Sequence, residues 1–137
     1  MPTQNMTPNY VPPFFNGLGA LAKRFETKST SFTATVADSG KIFMIYGGTA
    51  AVTVTLPAID TGPFDFTIIN CQDQNLLVAS AVADTLIVFN DLTADSIAFS
   101  TSSEKIGNGF RILCDGTKIV ALPLLGSIYA TTTIATA

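Results

Sequence analysis

Residues 51–56 read Ala-Val-Thr-Val-Thr-Leu. Val52, Val54 and Leu56 alternate with Thr53 and Thr55, the period of a strand that buries one face and wets the other. Every residue after Ala51 except Leu56 is β-branched, which suits a pleated, half-buried surface. Pro57 follows and ends the run, because it has no amide to offer a ladder. Gly47-Gly48 precedes it and predicts a hairpin loop, since glycine adopts positive φ freely.

The same grammar extends in both directions. Phe32, Ala34 and Val36 alternate with Thr33 and Thr35, and Asp38-Ser39-Gly40 reads as a turn. Lys41–Tyr46 is the next strand. After the turn Asp60-Thr61-Gly62-Pro63, Phe64, Phe66 and Ile68 share one face of FDFTIIN. Leu76–Ala79, Thr85–Phe89 and Ser96–Phe99 are further strands. Phe110, Ile112 and Cys114 make another face, and Asp115-Gly116 signals a hairpin into Thr117–Leu122. Strands at this spacing, with no helical period between them, predict an all-β domain over residues 31–125. The expected form is an antiparallel β-sandwich or barrel, jelly-roll-like.

Two flanks differ from this body. Residues 1–30 form an expected extended arm, since Pro2, Pro8, Pro12 and Pro13 fix φ and remove donors. Leu18, Leu21 and Phe25 lie at helical spacing and predict a short helix over 17–25. Tyr10, Val11, Phe14 and Phe15 are expected to act as apolar anchors, either on the chain's own domain or on a partner, with Lys23 and Arg24 adding charge. The tail, residues 126–137, is uncharged and β-branched. Such a strand invites pairing. Ile128, Tyr129 and Ile134 are expected to pair with a neighbouring sheet or pack at a subunit boundary.

Composition narrows the function. The 137 residues suit one domain. Charged residues make up 12%, about half the usual share, so Thr, Ser, Asn and Gln supply much of the polar surface. Such groups are cheaper to desolvate than ions, which favours burial in an assembly. Net charge is −3 with no basic stripe, which argues against nucleic acid as a partner. Charge is also uneven: Lys23, Arg24 and Lys28 against Glu26 leave +2 on residues 1–30, while four basic against nine acidic residues leave −5 on the rest.

The chain contains no histidine, the usual base of serine and cysteine hydrolase sites and a common zinc ligand. No catalytic residue, metal or cofactor is expected. Asp60, Asp65, Asp91 and Asp95 read as turn residues rather than a glycosidase pair, and Asn90, Asp91 and Asp95 do not fit a calcium-loop spacing. Cys71 and Cys114, near the ends of expected strands, could form one disulfide but read as two reduced thiols acting as small buried hydrophobes. The N-terminus lacks a basic stretch followed by an apolar one, and no apolar run is long enough to cross a membrane as a helix. Synthesis in the cytosol and no membrane partner are expected.

The set KIFMIYGGTAAVTVTLP (41–57), FDFTIIN (64–70), QNLLV (74–78), ADTLIVFND (83–91) and GFRILCDGTKIVAL (109–122) resembles β-rich modules of tailed-bacteriophage virion proteins. The likeness is to capsid cement, or decoration, proteins, and also to domains of head and tail fibres. It implies a non-catalytic homotrimer on the outer capsid of the virion, made in the host cytoplasm. Such a trimer binds the major capsid protein and stabilises contacts between its subunits. The alternative it implies is a fibre, tailspike or baseplate module that binds host surface glycan.

Overall fold

The structure is a computed structural model that describes residues 24–100 and 104–124, and the backbone of 132–136. The strands are β1 (Phe25–Lys28), β2 (Phe32–Thr33), β3 (Ile42–Ile45), β4 (Val52–Thr55), β5 (Phe64–Asn70), β6 (Leu76–Ala79), β7 (Leu86–Val88), β8 (Asp91–Phe99), β9 (Gly109–Cys114), β10 (Ile119–Pro123) and β11 (Thr132–Thr136). Two single 3-10 turns, Val36–Asp38 and Ile59–Thr61, interrupt them. The expected all-β, barrel-like body is what the chain forms. One network runs β1-β3-β5-β9-β10-β7-β8-β6-β4-β2, with β11 on β8, and curls into a nearly closed barrel.

Its winding is not the antiparallel one expected. Five of the ten described ladders are parallel. β1, β3 and β5 stack in parallel, with Phe25 beside Ile42 and Ile42 beside Thr67. β2, β4 and β6 form a second parallel stack, with Phe32 beside Val54 and Val54 beside Val78. The chain alternates between the stacks, so each odd–even pair of strands is one coil of a short winding. β9 then closes on β5, and β8 on β6, both antiparallel.

Gly47-Gly48 is therefore a corner between stacks and not a hairpin loop. Coil corners lie on top of one another. The Tyr46 amide donates to Lys28 O (3.0 Å), the Cys71 amide to Ile45 O (2.8 Å), and the Gly48 amide to Gln72 Oε1 (3.2 Å). Glycine is required at 48 because a Cβ there would overlap the Ser29 carbonyl oxygen one coil away. At the end of the third coil, the side chain of fully buried Asn70 donates to Gln74 O (2.9 Å) and accepts from the Gln72 amide (3.4 Å).

The other expected elements largely stand. Val52, Val54 and Leu56 are buried, as are Phe64, Phe66, Ile68, Phe110, Ile112 and Cys114. Each large side chain so placed contributes about 1.5–3 kcal/mol. Aromatic pairs join the two stacks across the core: Phe32 with Phe43 (4.8 Å between centroids) and Phe99 with Phe110 (4.7 Å). The Asp115-Gly116 hairpin joins β9 to β10. Asp115 Oδ1 accepts from the amides of Thr117 and Lys118, each at 2.8 Å, and these bonds hold its carboxyl below the usual range.

Two boundaries differ. Phe25, expected to close a helix, opens β1, because its neighbour on β3 offers a ladder; the body thus begins before residue 31. Apart from Arg24, the stretch before Phe25 lies outside the described residues. In the tail, Thr132–Thr136 does form a strand, but it pairs antiparallel with β8 of its own chain, Ile134 opposite Ile97. The edge it covers belongs to this subunit.

Candidate functional site

The two stacks present unlike outer faces. On the face of β2-β4-β6-β8, one outward row reads Thr33, Thr55, Ala79, Ser96 and the next Thr53, Leu77, Ala98. These are small or hydroxyl-bearing side chains, Leu77 excepted. On the face of β1-β3-β5-β9-β10, the outward row Phe25, Ile42, Thr67, Arg111, Leu122 runs across five strands. Met44 and Ile69 point outward beside it, and Leu113 and Val120 pair on its other side. Phe25, Leu113, Leu122 and Leu124 remain 48%, 37%, 45% and 42% exposed.

The face has one ion pair. Arg111 Nη2 donates to Asp65 Oδ2 at 2.6 Å, and Nη1 to Thr67 Oγ1 at 3.2 Å. These bonds span β9 and β5 and satisfy the only charges among the outward residues of these strands. An exposed pair of this kind contributes about 0–1 kcal/mol, so its main effect is on the chemistry of the face, which is left net neutral. An open groove of about 440 Å³ continues the face at one end, lined by Pro63, Asp65, Leu113, Cys114, Lys118 and Val120 among others.

A sequence signal marks this face. Strand 42–45 reads IFMI, and 68–69 is Ile-Ile. Unbroken apolar runs mean that both faces of a strand meet apolar surroundings, in contrast to the clean alternation of AVTVTL. Attention to inward positions alone misses it.

Charge gathers where β1 meets the first 3-10 turn. Lys41 Nζ lies 2.6 Å from Glu26 Oε2 and 2.8 Å from Asp38 Oδ1, and Lys28 Nζ 2.7 Å from Glu26 Oε1. Asp38 Oδ2 also accepts the Thr35 amide at 2.8 Å. Hydrogen bonds from Lys28 and Lys41 lower the Glu26 carboxyl. Burial pushes Asp38 up, but Lys41 and Thr35 outweigh it and the carboxyl lies below its ordinary value. Hydrogen bonds to Asp38 and Glu26 raise Lys41. This network ties the edge strand to the body, with every one of its charges answered by a partner.

The residues singled out from the sequence fall in different places. Arg24 is exposed, and its Nε donates to Gly40 O (3.1 Å), which fixes where the chain enters β1. Tyr10, Val11, Phe14, Phe15, Lys23, Ile128 and Tyr129 lie outside the described residues, as does the side chain of Ile134. Asp65 is taken up by Arg111. Asp91 and Asp95, expected in turns, both lie in β8: Asp91 Oδ1 accepts the Thr93 amide (2.9 Å) at the strand's start, and Asp95 Oδ1 the Asp84 amide (2.8 Å) of the loop before β7. Asp60 is exposed in the second 3-10 turn. Cys71 and Cys114 are free thiols.

A smaller apolar feature sits on the β7–β8 hairpin. Phe89 and Leu92 are 76% and 75% exposed there, beside Asn90 in the left-handed region (φ 66°). It was not anticipated from the sequence, where Phe89 reads as the end of a strand.

No protein-family model matches the chain, and a search of curated proteins finds no match to it.

Proposed function

We propose that this chain is a non-catalytic structural protein of a tailed-phage virion. It binds the outer capsid and stabilises contacts between major capsid protein subunits, acting as a homotrimer. The observation that carries the reading is the apolar outer face of β1-β3-β5-β9-β10, in contrast to the small and hydroxyl-bearing face of β2-β4-β6-β8. An exposed apolar sheet face of this kind marks a protein-binding surface. Its ion pair is internally satisfied, so covering it strands no charge.

The arm, whose residues 1–22 carry no charged side chain, adds a second attachment. Three arms on one trimer raise effective concentration, so weak single contacts combine into a durable hold. The resemblance of residues 41–122 to virion β-modules supplies the context. Particle maps with and without the protein test the reading. The expected result is difference density on the outer shell over boundaries between capsid subunits. Density only on a tail, or none, contradicts it.

The parallel winding favours one second reading, a fibre, tailspike or baseplate module that binds host surface glycan. Coils of this kind stack along an axis and present side chains in rows. Saturable binding of the purified protein on a glycan array is the result that would favour it.

A further inference from the structure

The apolar face lies beside the place where the arm enters the body. Arg24, bonded to Gly40 O, leads directly into Phe25, and Phe25 is the first residue of the outward row that ends at Leu122. Residues 1–22 contain no charged side chain. Over the outward rows arm and face match in chemistry, since the only charges there, Arg111 and Asp65, pair with each other; Lys118 and Asp115 lie in the adjoining groove.

Reach is sufficient. The five strands β1, β3, β5, β9 and β10 span about 19 Å at the usual interstrand spacing. Ten residues separate Phe15 from Phe25, and such a stretch extends to about 33 Å. Gly17 and Gly19 lie within it and permit the reversal that lying back over the sheet requires. Proline at positions 8, 12 and 13 restricts the unbound arm, which lowers the entropy lost on docking. Covalent attachment places the arm at an effective concentration in the millimolar range, so its own face is favoured over that of another copy.

We propose that in the free protein the arm docks on the outer face of its own β1-β3-β5-β9-β10 sheet. Tyr10, Phe14 and Phe15 cover the Leu113–Val120–Leu122 end and the adjoining groove. The arm thereby shields an apolar surface that would otherwise promote self-association. On a partner, arm and face both become available. This inference concerns the isolated chain and stands apart from the virion reading.

The chain has no tryptophan, so Phe14→Trp places a single indole reporter on the arm. The full-length variant is expected to emit to the blue of free indole and to resist acrylamide quenching, unchanged on dilution. Adding Leu122→Asp is expected to shift emission to the red and restore quenching, with far-UV circular dichroism unaltered. If that double variant misfolds, Leu113→Asp replaces it. Solvent-like emission in Phe14→Trp alone overturns the proposal. So does protection that both face variants leave intact. Protection lost on dilution overturns it too, by assigning the arm to a second copy.

Discussion

Gly109 packs directly against the carbonyl of Ile68, where a Cβ would overlap the oxygen. The contact lets β9 close on β5 and carry the apolar face beyond the parallel stack. Gly109→Ala is expected to destabilise the fold by about 1–3 kcal/mol, because the atoms in the way are backbone of Ile68 and Ile69, not a side chain that can yield. Gly107 has φ 83° but open space around it, so Gly107→Ala incurs only the conformational penalty of about 1 kcal/mol. Urea unfolding of the two variants checks the order.

Asn70 anchors the third corner from within the core. Asn70→Ala leaves the Gln74 carbonyl and the Gln72 amide without that side chain, at a cost of about 1–3 kcal/mol. A lowered urea midpoint with unchanged shell binding is expected, since the residue lies away from the outer face. An unchanged midpoint contradicts the role assigned to its hydrogen bonds.

The Glu26–Lys41–Asp38 network makes stability depend on pH at both ends. Glu26 and Asp38 have lowered folded values. Their contribution is present above the unfolded carboxylate range and is lost as pH falls through the folded values. Lys41 is raised, so its contribution holds below the unfolded lysine value and is lost as pH rises through the folded one. All three side chains are partly solvated, and each pair contributes about 1 kcal/mol or less. Lys41→Met is expected to lower the melting temperature near neutrality and to flatten its fall below about pH 4. Parallel acid melts of the two proteins test this.

The two outer faces should differ in use. Leu113→Asp is expected to weaken attachment to capsid shells at least about tenfold, the scale of a central apolar contact. Thr33→Asp, at an exposed position of the other stack, is expected to leave it unchanged. Equal losses from both variants contradict the assignment of the face. Titration onto shells lacking the protein, read by co-sedimentation, gives the comparison.

Much of the core was legible because alternation identifies inward residues whatever the strand direction. Val52, Val54, Leu56, Phe66 and Ile112 are cases. Direction itself was not legible, since period two is common to parallel and antiparallel strands. Gly47-Gly48 then suggested a hairpin, whereas its glycines serve close stacking on Ser29. The helix expected through residue 25 rested on Leu18, Leu21 and Phe25 at helical spacing, but Phe25 is an outward strand residue. The candidate face was readable in IFMI and Ile68-Ile69, where apolar character appears on both sides of the strand. Its ion pair was not, because Asp65 and Arg111 are far apart in sequence and meet only through the β5–β9 register.

The most direct measurement is equilibrium binding of the purified protein to capsid shells that lack it, for the full chain and for a deletion of residues 1–15. The full chain is expected to bind saturably, and the deletion to fold yet bind at least about tenfold more weakly, a loss of roughly 1.4 kcal/mol or more. A full-length protein that shows no affinity for such shells would contradict the account.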